Sequence, residues 1–279
     1  MALDTADPST PRSALAARYG VEAVPSLGPW NDTIALLLSH RTLRGYRPDP
    51  LPTGTLETLV AAAQSASTSS NLQTWSVVAV TDHATKAELC KVGANQTYIV
   101  ECPLFMVWIA DLSRNNRLGQ EEGVHLEGNE TLDMLLMAAV DATLAAQNAA
   151  VAAESMGLSM CYIGGLRNDA ARVAELLSLP PASMAVFGMC VGYAKPGAPS
   201  EVKPRLPQSI VLHHEKYRVG SERAEREAYD ARMGAFSKRN DTALQTWTQR
   251  VRQRLTTAAG MSGRQHLRET LMRLGFKLK

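Results

Sequence analysis

The chain has 279 residues, 45% hydrophobic and 20% charged, enough for a large core or two domains. A formal net charge of +2 and 5% aromatic residues argue against a nucleic-acid surface, which needs concentrated basic charge and stacking rings. Cys90, Cys102, Cys161 and Cys190 form no C-x-x-C pair, so neither a zinc ribbon nor a redox dithiol is expected, and no metal site is. No signal-peptide pattern opens the sequence, which makes a reducing cytoplasm the expected setting.

Residues 1–28 contain prolines and little periodicity, so they read as an extended N-terminal arm, with residues 29–279 forming the main domain. Asn31, Asp32 and Thr33 are good helix-capping types, and the apolar run that follows predicts a helix ending near Arg44. On a helical turn Arg41 and Arg44 would share a face. Their guanidinium forks suit phosphate oxygens or the carbonyl edge of a heterocycle, hence a phosphorylated, anionic cofactor. Cations at a helix C-terminus also complement the dipole without any ligand, and both readings stand at this point. The prolines of 47–52 then enforce an extended linker.

A second helix is expected over 55–66, breaking at Ser67 to Asn71, a polar turn that either meets solvent or wraps a polar ligand. Trp75–Val80 reads as a strand, Asp82 caps a helix to about Val92, and Leu104–Ala110 is an apolar run expected to be a strand covered on both faces. Residues 113–129 are polar and contain glycine, which predicts a loop. From Thr131 to Gly157 runs the longest helical pattern, apolar around much of its girth, as in a buried core or a subunit interface. Its charge-free part, 142–153, falls short of the roughly 18 to 20 residues of a membrane span, so no membrane is expected.

Strands follow at 158–163 and 184–192, with a helix from about Asn168 to Leu177 between them. A proline-rich stretch covers 194–207, and charged helices form a tail, mobile over about 221–262. There is no G-x-G-x-x-G after the first strand and no G-x-x-x-x-G-K-[ST], so neither a Rossmann fingerprint nor a P-loop is present. The order predicts one α+β body with helices packed on a small sheet.

Four polar clusters punctuate this order: His40-Arg41-Thr42-Leu43-Arg44, the Ser-rich turn Thr68 to Gln73, Tyr162-Ile163-Gly164-Gly165-Leu166-Arg167, and Lys203-Pro204-Arg205-Leu206-Pro207. Together they resemble the nitroreductase superfamily, in its NADPH-dependent flavin reductase and oxygen-insensitive major nitroreductase branch, over about residues 32 to 279. The resemblance implies a nitroreductase-like α+β fold, with a small, mostly antiparallel sheet flanked by helices and a helical C-terminal excursion. It also implies an FMN-binding homodimer with active sites at the subunit interface.

By this resemblance His40, Arg41 and Thr42 bind the phosphate and ribityl chain, with Thr42 keeping the hydroxyl of the more usual serine. Arg44 faces the pyrimidine edge of the flavin, where a fixed cation favours the reduced, anionic form. Thr68, Ser69 and Ser70 form a turn lent by the other subunit, beside Asn71 where an aromatic residue is common. Gln96 reads the pyrimidine edge as an amide. Tyr162, Ile163, Gly164 and Gly165 form the strand end under the ring, with the Gly164 N–H toward N5. Lys203 and Arg205 clamp the phosphate.

The segment Phe236 to Asp241 matches one that grips the NADPH 2′-phosphate, through Lys238 and Arg239. An arginine expected near Ala243 is absent, which leaves the choice between NADPH and NADH open. Arg264 matches an arginine at the substrate mouth. The function implied is electron transfer from NADPH to nitroaromatics, quinones or free flavin by a ping-pong cycle, with no side chain as acid or base. A flavin carrier or sensor without turnover, and an azo, metal-ion or enone reductase on the same scaffold, remain open alternatives.

Overall fold

The computed structural model describes residues 10–198, 201–220, 222–240 and 246–279. In chain order the elements are α1 (Pro11–Tyr19), α2 (Asp32–Ser39), α3 (Thr55–Gln64), β1 (Trp75–Val80), α4 (His83–Val92), α5 (Tyr98–Glu101), β2 (Leu104–Asp111) and α6 (Ser113–Glu121). They continue as α7 (Leu132–Ser155), β3 (Ser159–Ile163), α8 (Ala170–Leu176), β4 (Ser183–Gly192), α9 (Gln208–Val211), α10 (Arg223–Arg239), α11 (Trp247–Leu255) and α12 (Leu267–Arg273). Where a single body was expected after the arm, the chain groups into two units. Unit one is Met1–Arg41 with Pro199–Gly260, and unit two is Thr42–Ala198 with Met261–Lys279.

Unit two is built on a four-stranded sheet of order β1-β2-β4-β3, antiparallel at every pairing. β2 is buried along its whole length. Because strand side chains alternate, Leu104, Met106 and Trp108 enter one core with α3 and the alanine face of α7. Phe105, Val107 and Ile109 enter the other, with Leu89, Ile99, Leu166 and Val173. Small residues at 145, 146, 149 and 153 let α7 lie close on the sheet. The Phe105 ring occupies the space over Gly188, where an added Cβ would sit 2.2 Å from Cζ.

Length alone does not exclude α7 from a membrane, since its 24 residues are long and apolar enough to cross one. Its alanine face is instead spent on the protein core. Leu132, Leu136, Val140 and Leu144, spaced by four, form a stripe that stays exposed.

Three local expectations change. The arm of 1–28 carries a helix, α1, with Thr10 accepting from the Ser13 N–H, Pro11 in the first turn and Gly20 at φ 81° closing it. The helix expected to reach Arg44 stops at Ser39. Sheet-type pairing wins there, because the Leu43 N–H donates to Met160 O (3.2 Å), Arg47 N–H to Tyr193 O (3.0 Å), and Tyr46 bridges Ala194. Arg41 and Arg44 therefore do not share a helical face, whereas Thr42 and Arg44 lie opposite buried Leu43. The loop expected over 113–129 contains α6 and a 3₁₀ turn, Glu127–Glu130. Asp111, just before the start of α6, accepts from the Ser113 N–H (3.0 Å) and hydroxyl (2.5 Å), a turn that an apolar-periodicity reading does not register.

The last residues of unit two are clasped to the start of α7. Lys279 N–H donates to Glu130 O and Leu132 N–H to Lys279 O, while Lys277 and Lys279 each place Nζ 2.5 Å from the Glu130 carboxylate. Those two ammonium groups hold the Glu130 carboxyl down to about 2. A depressed carboxylate stabilises above its unfolded value and loses that contribution as pH falls through its folded one. The clasp is thus intact at neutral pH and weakens from about pH 4.5 toward pH 2, and Glu130→Gln should flatten this part of the stability–pH curve in thermal melts. Gly188→Ala should cost about 1–3 kcal/mol in urea unfolding, with part of the loss recovered by adding Phe105→Leu.

Candidate functional site

In unit one the site residues are gathered by Arg18, in the last turn of α1 and 5% exposed. Its guanidinium donates to His40 O (2.5 Å) and to Lys203 O (3.0 Å). The Arg205 N–H donates back to Arg18 O at 2.8 Å. The segments ending in Arg41 and spanning Lys203 to Arg205 are thereby tied to one residue. Pro204 is buried, and its carbonyl accepts from the Tyr229 hydroxyl of α10 (3.2 Å) and from Arg205 Nη1 (3.3 Å). The Lys203 ammonium stands 5.7 Å from the centre of the Phe236 ring. Arg41 and Arg205 are exposed, and Arg41 lines a cavity of about 770 Å³ with Trp30, Leu36 and Val202.

Lys238 and Arg239 close α10. Arg239 is held by Glu201, with Nη2 at 2.9 Å and Nε at 3.2 Å from Oε2, and the guanidinium keeps that carboxyl below its usual range. Lys238 is exposed and forms no ion pair among the described residues. Asp241 and Ala243 lie outside the described residues.

In unit two Arg44 is exposed and its guanidinium reaches the Tyr98 hydroxyl. Burial pushes that hydroxyl up to about 12, aided by nearby Cys161 and opposed by Arg44. It stays protonated and donates to Gln96 Oε1, while Gln96 Nε2 donates to Gly93 O at 2.5 Å. Both ends of the amide are thus oriented. The end of β3 packs on the same turn, since a Cβ at Gly165 would lie 3.0 Å from both Gln96 Nε2 and Gly93 Cα. Glycine at 165 is required by that close approach.

Gly164 sits beside two guanidiniums, Arg167 and Arg264, whose nearest nitrogens are 3.5 and 3.9 Å from its would-be Cβ. Arg264 Nε donates to Asn168 Oδ1 at 3.0 Å. Unit two therefore assembles Arg44, Gln96, Gly164, Gly165 and Arg264 through a short series of contacts. Ile163 is buried in one core, and the Tyr162 ring is turned edge-on to Phe187 in the other, so neither side chain forms a platform. Thr42 is half-buried.

Thr68, Ser69 and Ser70 are organised by a residue that sequence reasoning missed. Asp141, 2% exposed on α7, accepts from the Thr68 hydroxyl (2.6 Å), the Ser69 N–H (3.2 Å) and the Thr74 N–H and hydroxyl (both 3.1 Å). The Thr68 oxygen also accepts from the Gln73 N–H (3.0 Å). Thr68 is committed to holding the turn, and the exposed Ser69 and Ser70 are what it presents. The signal available in sequence was a lone carboxylate amid the apolar residues of α7. Arg18 left only the cap pattern of Thr10, Pro11 and Gly20, which marks a helix but not the role of its arginine. Asp141→Ala should lower stability by roughly 2–4 kcal/mol in urea unfolding, since it orphans several buried donors. A loss below about 0.5 kcal/mol would mean that the turn holds itself.

Comparison with known proteins bears on this arrangement. Residues 37–193 match the Nitroreductase family and residues 203–279 match the Nitroreductase family, C-terminal domain. An FMN reductase (NADPH) of Bacillus subtilis is 38% identical over 226 residues, 79% of this chain and 90% of that protein. An oxygen-insensitive NADPH nitroreductase of Salmonella typhimurium is 34% identical, covering 80% of this chain and 90% of its own. The structure of NADPH:FMN oxidoreductase from Vibrio harveyi, complexed with NAD+, superposes with a TM-score of 0.78 at 36% identity, covering 89% of this chain and 100% of that one. The chain belongs to the nitroreductase family.

Proposed function

We propose that this chain is an FMN-dependent oxidoreductase that passes electrons from NADPH to small electron-poor acceptors, nitroaromatics, quinones or free flavin, in a ping-pong cycle. The observation that carries this reading is the gathering of the His40–Arg41 and Lys203–Arg205 segments on Arg18. Each unit by itself holds residues that fit one part of a flavin mononucleotide. Its phosphate needs cations without competing carboxylates, and the Arg205 guanidinium meets carbonyl oxygens rather than an acid among the described residues. Its pyrimidine edge needs donors and acceptors in fixed orientation, which Gln96 and Arg44 supply beside Tyr98.

Bound to these residues, FMN would supply a ring able to accept hydride and to pass electrons on. The chain's own part is position and field. His40, Arg41, Thr42, Lys203 and Arg205 bind the phosphate and ribityl end, and Arg44 favours the negative charge gained on reduction. Gly164 and Gly165 allow a close backbone approach. Arg264, near Gly164, orients a nitro or carboxylate group of the acceptor. No side chain is needed as acid or base. For NADPH, Lys238 carries the 2′-phosphate contact, because Arg239 is already engaged by Glu201.

The working unit is a homodimer. The exposed stripe Leu132, Leu136, Val140 and Leu144 supports this, and the serine turn is tied to the same helix by Asp141. Cys90, Cys102, Cys161 and Cys190 form no disulfide, which supports a reducing, cytoplasmic setting. The purified protein should be yellow and should bleach when NADPH is added without oxygen. A colourless protein that recovers no colour with FMN overturns the reading, and a yellow one that does not bleach favours the carrier or sensor alternative. Lys238→Ala should raise KM for NADPH about fivefold with kcat nearly unchanged, whereas Arg239→Ala should do less, as steady-state kinetics will show.

A further inference from the structure

Arg18 lies outside both stretches that match the family, 37–193 and 203–279, as does the helix that carries it. It is nevertheless the group on which two cation-bearing segments of unit one meet. A guanidinium buried to 5% exposure, with bonds of 2.5 and 3.0 Å to His40 O and Lys203 O, fixes the backbone of both segments. The return bond from the Arg205 N–H to Arg18 O makes the link two-way, so the 203–205 backbone is held at both ends. Gly20, at φ 81°, sets the end of α1, and an added Cβ there would lie 2.8 Å from Arg232 Cδ on α10. The position of Arg18 is therefore fixed from its own helix as well as by its ligands.

We infer that Arg18 is a positioning residue for the phosphate end of the cofactor, supplied by a helix from outside the matched family segments. This inference rests on the FMN reading above and deepens it. Arg41, Lys203 and Arg205 are long side chains on segments without regular structure at their ends. Left loose, such cations spend entropy each time they close on an anion. With the His40 and Lys203 carbonyls tied to one rigid fork, and the Arg205 N–H to the main chain of the same residue, that ordering is already present before the phosphate arrives. A lysine at 18 keeps the charge but is a point donor, and it cannot reproduce the planar fork that reaches two carbonyls.

The test compares FMN with riboflavin, which shares the ring and ribityl chain but has no phosphate. Apparent Kd values are read by flavin fluorescence quenching for the full chain, Arg18→Lys and Arg18→Met, with folding checked by circular dichroism. Arg18→Met should weaken FMN by about tenfold to a hundredfold and Arg18→Lys by less, with riboflavin affinity changed little in either. If Arg18→Met does not fold, Arg18→Lys decides by the same ratio. A folded variant that binds FMN as the parent does, or that loses FMN and riboflavin equally, overturns the inference. A parent protein that binds neither flavin overturns the FMN reading itself, and that outcome is told apart by the unsubstituted chain alone.

Discussion

Strand β2 serves two cores at once, and the rest of unit two depends on that constraint. Its even-numbered side chains from Leu104 to Trp108 face α3 and α7, and its odd-numbered ones from Phe105 to Ile109 face α4, α5 and α8. Helices on both faces follow, because neither face can be left to water. The cost of leaving such apolar area exposed, about 25 cal/mol for each Å², far exceeds what any one polar contact at the site returns. The polar turns of the candidate site are then the ends of elements whose positions the cores dictate. Gln96 follows α4, Gly164 and Gly165 follow β3, and Asp111 closes β2.

Polar side chains of low exposure act as the second level of organisation. Asp141 and Arg18 each hold a turn or segment that bears functional groups without presenting a group of their own. Both bond to groups of the protein itself, backbone included, which explains why neither belongs to a recognisable motif. A motif records side chains that touch a ligand, whereas a residue bonded to a carbonyl can be supplied from any helix that happens to pass. Tyr98 works similarly, keeping its proton and fixing the amide of Gln96.

This distinction also explains what could be read from sequence. The four strands, α3, α4 and α7 were legible because their apolar residues recur with the period of the element and their caps are strong, such as Asp82 and Thr131. The termini of α2 were only half legible. Its start at Asn31 follows a local rule, but the extended backbone predicted as helix beyond it, at Leu43, pairs with Met160, and Arg47 with Tyr193, far along the chain. Helix α6 was missed because its nine residues contain one leucine, itself exposed, and so carry no period. Of the candidate site, the motif residues were named through their resemblance to a family. The commitment of Thr68 to Asp141 and of Arg239 to Glu201 was not, since a partner distant in sequence leaves no local trace.

The four cysteines offer a last consequence. All are buried, and Cys102, Cys161 and Cys190 lie in the core on one side of the sheet. The Cys102 and Cys190 sulfurs interact, with the Lys86 ammonium near them, so Cys102 is lowered by its bond from Cys190 while burial raises Cys190. However receptive Cys102 is electronically, its residue is 0% exposed, which shields the thiol from solvent in the folded chain. Native protein should be silent to maleimide, and each thiol becomes a clock for the opening of the elements around it, a built-in gauge of breathing that needs no introduced label.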